Sequence, residues 1–432
     1  MKRYEDQIDM MQLLEAIVPL KRTLASNDTD KALKTIADYL PGSIIEGFPC
    51  GSKAWTWVIP KRWELDRAVI RAGSKKLVDA SWHPLHVMNY SKPFQGTVNR
   101  DELLKHLYTN PDRPDAIPFK YSYYKNDWGF CVPHSWLDMF IYERYEIEID
   151  SRFEEGEMNT LSFFLKGECA ETFILCSDIC HPMQANDPLS GVAVTVDIMN
   201  RLRSMKRRKY SYLLLVVPET IGSIAYLANH QDIIPKTVGG FFCEMLGTNG
   251  PLVGQYTRKG SSYWDKIMDL VLDESGLIHK TVPFMKSASN DEKVLDSPGV
   301  DIPTLSLTRM PYPEYHTSDD NINLINIDRL REARNVVQEI IDISEKDYIP
   351  VLNQPGPIFL SGYDLYPDWE NNPSLLSIME TFLAVMYGID GMHSVVELSK
   401  NYQVPLSEVF YWTEAFYNKG LLTKKDFKLE RN

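Results

Sequence analysis

From about residue 142 onward, the chain alternates between two hydrophobic patterns. Short apolar runs with the length and composition of buried strands are ETFILCSD, YSYLLLVV and VGGFFC. Between them lie segments whose apolar residues recur at helical spacing, as at Leu189, Val192, Val196 and Met199. Strands that alternate with helices predict an α/β fold of three layers, in which a mostly parallel, mixed sheet is covered by helices on both sides.

Two segments interrupt this alternation. Residues 50–110 contain short runs rich in Trp, Tyr and Pro, which predict a small β-rich insertion. Residues 1–49 and 111–348 would then form one discontinuous α/β domain. A stretch of loop composition separates it from residues 356–432, where three helical runs precede a Gly-Leu-Leu turn into a short hairpin. This order of elements predicts a C-terminal winged-helix domain.

Length and charge limit the classes of function. A chain of 432 residues is long enough for two or three domains. Its 46 basic and 59 acidic residues give a net charge of -13, which repels phosphate backbones and anionic lipid. Residues 356–432 carry ten acidic and six basic side chains. We therefore expect no nucleic-acid or membrane partner, and we expect the C-terminal module to contact a second copy or another protein.

The amino terminus and the cysteines indicate a compartment. The first 20 residues include Glu5, Asp6, Asp9 and Glu15, which interrupt the apolar core that a signal peptide needs. The sequence contains no run of about 18 apolar residues. Six cysteines spread over this length are too sparse for a disulfide framework. We expect a cytoplasmic location and reduced thiols.

Candidate chemistry lies in the loops that follow the predicted strands. The residues concerned are His181, Asp187, Glu219, Glu244 and His316. In an open α/β sheet such loops meet at one edge, and imidazole with carboxylate suits zinc. Each residue also has an ordinary structural explanation: Asp187 can cap a helix, for example, and a histidine before proline is often a turn residue. Their joint placement favours a metal site.

The motifs around these residues resemble a known superfamily. The segments CHPMQANDPLSG, VPETIGSIAYL, CEML and PEYHTSDDN are similar to zinc aminopeptidases of the transferrin-receptor and bacterial leucyl aminopeptidase superfamily. The match is closer to a bacterial family of aminopeptidase-like proteins with a small inserted domain and a C-terminal winged helix. The resemblance spans nearly the whole chain.

The resemblance implies a role for each candidate. His181 would ligate one metal ion, Asp187 would bridge two, Glu244 would stand where the superfamily has an aspartate ligand, and His316 would hold the other ion. Glu219 would be either the general base that accepts a proton during hydrolysis or a metal ligand, and we favour the general base.

Two positions depart from the superfamily pattern. Met183 stands where an aspartate usually orients the first histidine, and Thr220 replaces the second residue of a Glu pair. One carboxylate, Glu219, must therefore be either base or ligand, so the site would hold one or two zinc ions.

Two hypotheses of function follow. The first is a zinc-dependent aminopeptidase or related amidohydrolase that acts on a small peptide or amide. The second is a non-catalytic binding or scaffold protein that keeps the aminopeptidase fold, since a fold can serve binding alone.

Overall fold

The computed structural model describes residues 2–287, 289–366 and 375–429. Its helices are α1 (Met10–Ile17), α2 (Asn27–Tyr39), α3 (Arg100–Lys105), α4 (Leu189–Ser204), α5 (Ile221–Asn229), α6 (Tyr263–Ser275), α7 (Glu292–Leu295), α8 (Ile327–Lys346), α9 (Leu375–Gly388), α10 (Val395–Tyr402) and α11 (Leu406–Asn418). Its strands up to the middle of the chain are β1 (Ile44–Pro49), β2 (Lys53–Ala54), β3 (Trp57–Val58), β4 (Arg62–Ala72), β5 (Lys75–Asp79), β6 (Phe94–Asn99), β7 (Leu107–Tyr108), β8 (Phe130–Cys131) and β9 (Arg144–Glu154). The later strands are β10 (Glu157–Leu165), β11 (Thr172–Asp178), β12 (Ser211–Val217), β13 (Thr237–Cys243), β14 (Leu252–Gln255), β15 (His279–Val282), β16 (Thr304–Thr308), β17 (Tyr348–Leu352) and β18 (Leu422–Asp426).

A large mixed sheet forms the centre of the molecule. Its eight described strands run in the order β1-β10-β12-β11-β13-β16-β14-β15. The pairs β12-β11, β11-β13 and β13-β16 are parallel, and antiparallel pairs flank them. Every residue of β11, β12 and β13 is buried, because the sheet is covered on both faces. The predicted fold class is confirmed.

Residues of one strand alternate between the two hydrophobic cores of the sheet. Leu175 packs into the core beneath α1, α2, α4, α6 and α8, whereas its neighbours Ile174 and Cys176 pack into the other core with α5 and α7. This is the period of two that a strand imposes on its side chains. The large sheet is therefore the middle of three layers.

The inserted region lies on the second face of the sheet. It forms a four-stranded antiparallel sheet in the order β5-β4-β9-β6. The strand β9, which lies beyond the predicted boundary at residue 110, belongs to this small sheet, and the domain boundaries stay predictions. The partners of β9 in this sheet, β4 and β6, are distant from it in the sequence.

The C-terminal module contains α9, α10 and α11 followed by β18. In place of the predicted hairpin, β18 pairs antiparallel with β17, which precedes the three helices in the chain. Parts of the predicted module, residues 367–374 and 430–432, lie outside the described residues. The winged-helix assignment stays a prediction.

Within the described ranges, every helix is too short or too polar to span a bilayer.

Candidate metal centre

Four loops at the carboxyl ends of neighbouring strands bring the five predicted residues to one edge of the large sheet. His181 and Asp187 lie between β11 and α4, and Glu219 follows β12. Glu244 comes directly after β13, and His316 lies beyond β16. We call the space that these side chains line the crevice. Crevices at this edge are where α/β sheets usually bind their ligands.

Three of the five side chains form a compact group. Potential ligand atoms of His181, Asp187 and His316 all lie within 4.8 Å of one another. His316 Nε2 is 3.1 Å from Asp187 Oδ2, and His181 Nδ1 is 4.0 Å from Asp187 Oδ1. This arrangement offers two imidazole nitrogens and a carboxylate to one cation.

Glu219 belongs to a second, overlapping group with Cys180 and His181. Its Oε2 is 3.5 Å from His181 Nε2, and its side chain is partly exposed. Burial, followed by the negative charges of Asp187 and Asp291, raises the pKa of Glu219 to about 7. Its carboxylate therefore lies beside the compact group and has the proton affinity of a base that works near neutral pH.

Glu244 lies deeper and outside both groups. Its side chain is fully buried, and its Oε1 atom has no hydrogen-bond partner within the described ranges. Burial and the nearby Asp187 raise its pKa well above the usual value for a glutamate. A buried oxygen without a partner is costly, and a bound cation would remove that cost.

The chemistry of the histidines also fits a metal ion. His181 is 2% exposed, and its Nδ1 atom has no hydrogen-bond partner among the described residues. Burial lowers the pKa of His181 to about 4, so the ring is neutral at ordinary pH. Neutral imidazole is the form that ligates metals. These residues therefore fit zinc.

Asp320 organises the loop that carries Asp187, a role that the sequence did not reveal. Its Oδ1 accepts hydrogen bonds from the backbone N–H groups of Ala185 at 3.1 Å and Asn186 at 2.6 Å. Its Oδ2 accepts from the Asp187 N–H at 3.0 Å and from the Tyr312 hydroxyl at 2.6 Å. Asp320 lies four residues after His316, so the loops that carry Asp187 and His316 are joined directly.

The start of α4 packs against the end of β13. A Cβ at Gly191 would lie 1.8 Å from the carbonyl oxygen of Cys243, so only glycine permits this approach. Asn186 Oδ1 accepts a hydrogen bond from the Gly247 N–H at 2.7 Å. The first turn of α4 receives no side-chain cap, so the alternative role of Asp187 as a capping residue is wrong.

Arg22 holds the backbone of the loop that carries His181. This fully buried guanidinium donates to the carbonyl oxygens of Ile179 at 2.8 Å, Gln184 at 3.1 Å and His181. It lies on the connection between α1 and α2, far from the loop in sequence, and no motif points to it.

The segment between β7 and β8 supplies a wall of the crevice. The Phe119 ring lies 5.0 Å from the His181 ring and 5.3 Å from the His316 ring, and the Phe119 N–H donates to the His316 carbonyl at 2.7 Å. On the other side, the half-exposed ring of Tyr315 stacks on His316 at 3.9 Å. Aromatic rings thus fix both histidines in orientation.

Comparison with known proteins identifies relatives along most of the chain. The family model described as "Domain of unknown function (DUF4910)" matches residues 11–347. A protein of Clostridium acetobutylicum named "Putative polysaccharide biosynthesis protein with aminopeptidase-like domain" is 35% identical over 427 residues, which cover 96% of each chain.

Solved structures show the same fold. A crystal structure from Clostridium acetobutylicum, described as a putative peptidase, superimposes with a TM-score of 0.85 at 30% identity and covers 96% of both chains. The zinc aminopeptidase BSAP from Bacillus subtilis superimposes with a TM-score of 0.59 at 14% identity, over 77% of this chain and 92% of that one. The chain therefore belongs to the DUF4910 family and has the α/β fold of the zinc aminopeptidases.

Proposed function

We propose that the protein is a zinc-dependent hydrolase of amide bonds. The observation that carries this proposal is the compact group of ligand atoms from His181, Asp187 and His316 at the strand ends. These three residues would hold one zinc ion, and Glu244 would complete the site or hold a second ion together with Asp187. A bound zinc ion polarises a carbonyl and lowers the pKa of a coordinated water.

The chain's own residues would supply the proton transfer. Glu219 accepts a proton from the attacking water and delivers it to the leaving nitrogen of the amide. A carboxylate with a pKa of about 7 suits both steps, because it gains and loses a proton readily near neutral pH. Burial, followed by the charge of Asp187, raises the pKa of Tyr315 further above its usual value, which already leaves the hydroxyl protonated near neutral pH. This hydroxyl would donate a hydrogen bond to the substrate.

The substrate class follows from the proposed reaction and from the relatives. A small peptide or other amide fits a water-attack mechanism with a single base. The name of the Clostridium acetobutylicum relative couples an aminopeptidase-like domain to polysaccharide biosynthesis. Amides of amino sugars therefore belong beside aminoacyl amides among the substrates to test.

The proposal also includes a partner and a location. The C-terminal module would contact a second copy of the chain or another protein, and the protein would be cytoplasmic.

One observation favours the alternative, a non-catalytic binding or scaffold protein. Thr220 occupies the position where the resembled superfamily has the second glutamate of its pair. A site that lacks this carboxylate binds metal less strongly unless another residue compensates. The two hypotheses differ in metal uptake and in turnover.

The test uses the full chain, stripped of metal and then reconstituted with zinc. Hydrolysis of aminoacyl p-nitroanilides and of N-acetylated amino sugars is measured before and after chelation. The enzyme hypothesis predicts turnover that chelation abolishes and zinc restores. A chain that takes up no zinc and hydrolyses neither class supports the scaffold.

A further inference from the structure

The loop before α7 contacts two carboxylate-bearing segments of the crevice. Asn290 Nδ2 donates a hydrogen bond to Glu244 Oε2 at 2.5 Å. The next residue, Asp291, accepts from the turn that follows Glu219. Neither Asn290 nor Asp291 is among the five predicted site residues, and no motif in the sequence points to them.

Asp291 holds the turn between β12 and α5. Its Oδ2 accepts a hydrogen bond from the Thr220 N–H at 3.0 Å, and its Oδ1 accepts from the Ser223 hydroxyl. The N-cap residue of α5, Thr220, makes no side-chain cap bond, and the fully buried carboxylate of Asp291 binds the start of this helix from another part of the chain.

The turn needs such support because its backbone is strained. Thr220 has a φ of 64°, a conformation that is unfavourable for a β-branched residue. Strain of this kind persists only where surrounding contacts enforce it, and it is common at functional sites. Since Glu219 immediately precedes Thr220, the Asp291 contact sets the direction in which the Glu219 side chain leaves the sheet.

Asn290 fixes Glu244 in a complementary way. Its amide engages only Oε2 of Glu244, which leaves the buried Oε1 atom without a partner among the described residues. The loop itself is anchored, because Glu292 accepts from the Asn290 N–H at 3.0 Å and from Gln255 Nε2 at 2.9 Å. Helix α7, which follows, packs against β13 and β16.

We propose that Asn290 and Asp291 are positioning residues of the crevice. Asn290 orients Glu244 so that one oxygen stays free for a metal ion, and Asp291 fixes the Glu219–Thr220 turn so that the base faces the same space. One short loop thereby aligns a ligand with the base. The role of Asn290 in metal binding rests on the proposed function, whereas the role of Asp291 in fixing the backbone turn does not. We call these the Asn290 half and the Asp291 half of the inference.

The Asn290 half is tested by zinc affinity. Asn290→Ala is compared with Asn200→Ala, which removes a buried amide that donates to backbone carbonyls in α4 and α2, away from the crevice. Competition with a chromophoric chelator measures the affinity of the full chain for zinc. We expect Asn290→Ala to weaken zinc binding about 10- to 100-fold, as loss of outer contacts usually does. Asn200→Ala should bind zinc like the wild type.

The Asp291 half is tested in metal-free protein. Asn offers one acceptor oxygen where Asp291 offers two, so Asp291→Asn should lose the bond from Thr220 or from Ser223. Hydrogen exchange in peptides that cover residues 218–224 should then become faster. The matched control is Asp296→Asn, which alters a buried carboxylate that accepts from the Arg258 N–H at 2.7 Å and touches none of these residues.

Each outcome decides one half. Wild-type zinc affinity in Asn290→Ala, or an equal loss in Asn200→Ala, would overturn the role of Asn290. Unchanged exchange in Asp291→Asn, or equally fast exchange in Asp296→Asn, would overturn the role of Asp291. A wild-type chain that binds no zinc refutes the proposed function and the Asn290 half, and it leaves the exchange result to decide the Asp291 half.

Discussion

Two regions of the molecule bury ionisable side chains, and they differ in how fully these groups are hydrogen-bonded. At the junction between the α/β layers and the C-terminal module, Asp347 accepts hydrogen bonds from the Tyr263 hydroxyl at 3.0 Å and from the N–H groups of Tyr348 at 3.0 Å and Val396 at 3.4 Å. In the crevice, Glu244 Oε1 and His181 Nδ1 are equally buried but have no partner within the described ranges.

The difference separates a structural site from a ligand site. Asp347 joins three elements of the chain, so its oxygens are used up in holding α10 and β17 to α6. Asn290 holds Glu244 and Arg22 holds the His181 loop, yet Glu244 Oε1 and His181 Nδ1 have no partner among the described residues. Unpaired buried polar groups are destabilising, and a bound cation would complete the bonding of these two crevice atoms.

The largest expected effect comes from Glu219→Gln, which keeps the shape of the side chain and removes its ability to accept a proton. We expect the rate of amide hydrolysis to fall about 10²- to 10⁴-fold while zinc content stays at the wild-type level. Glu46→Gln is the control, since this half-exposed glutamate pairs with His230 at 2.7 Å outside the crevice. Loss of zinc from Glu219→Gln would instead make Glu219 a ligand.

A smaller effect is expected for Asp320→Asn, which tests whether the crevice depends on its supporting bonds. The amide has one acceptor oxygen for the four donors that Asp320 now serves. We expect zinc affinity to fall about 10- to 100-fold. Its neighbour Asp319 pairs with Arg113 Nε at 2.9 Å near the surface, so Asp319→Asn should keep zinc affinity. Equal effects of the two substitutions would contradict the assignment.

The third prediction concerns pH and the junction. Burial raises the pKa of Asp347 to about 6, above its value in the unfolded chain. The stability that this group contributes is therefore complete below about pH 4 and is lost as pH rises through about 6. The asparagine in Asp347→Asn does not titrate. Between pH 4 and pH 7 the free energy of unfolding of the wild type should therefore fall by about 2–3 kcal/mol relative to that of Asp347→Asn.

Urea unfolding at several pH values measures this difference, and Asp364→Asn serves as the control because that carboxylate is 93% exposed. A difference between Asp347→Asn and the wild type that stays constant with pH would show that Asp347 is not perturbed in the folded chain.

Sequence pattern predicted the layers and the five crevice residues because both depend on local signals. Buried strands such as β11 and β12 are short apolar runs, and His181, Asp187 and His316 lie in recognisable strand-end motifs. The compact group formed by those three side chains agrees with their predicted placement, while the metal-binding and catalytic roles of the five residues stay predictions.

The supporting contacts could not be predicted because they join distant parts of the chain. Arg22 reaches the His181 loop across more than 150 residues, and nothing near it in sequence marks that destination. The same holds for β9, which pairs with the distant strand β4, and for β18, which pairs with β17 across three helices.

The most direct test of the account is a titration of the metal-free full chain with zinc, in which calorimetry measures the binding. The wild type should bind zinc, and His316→Ala should bind it at least about 100-fold more weakly because one of three protein ligands is lost. His230→Ala, which removes a histidine outside the crevice, should match the wild type. A wild-type chain that binds no zinc, or a His316→Ala chain that binds it unchanged, would contradict the proposed metal centre.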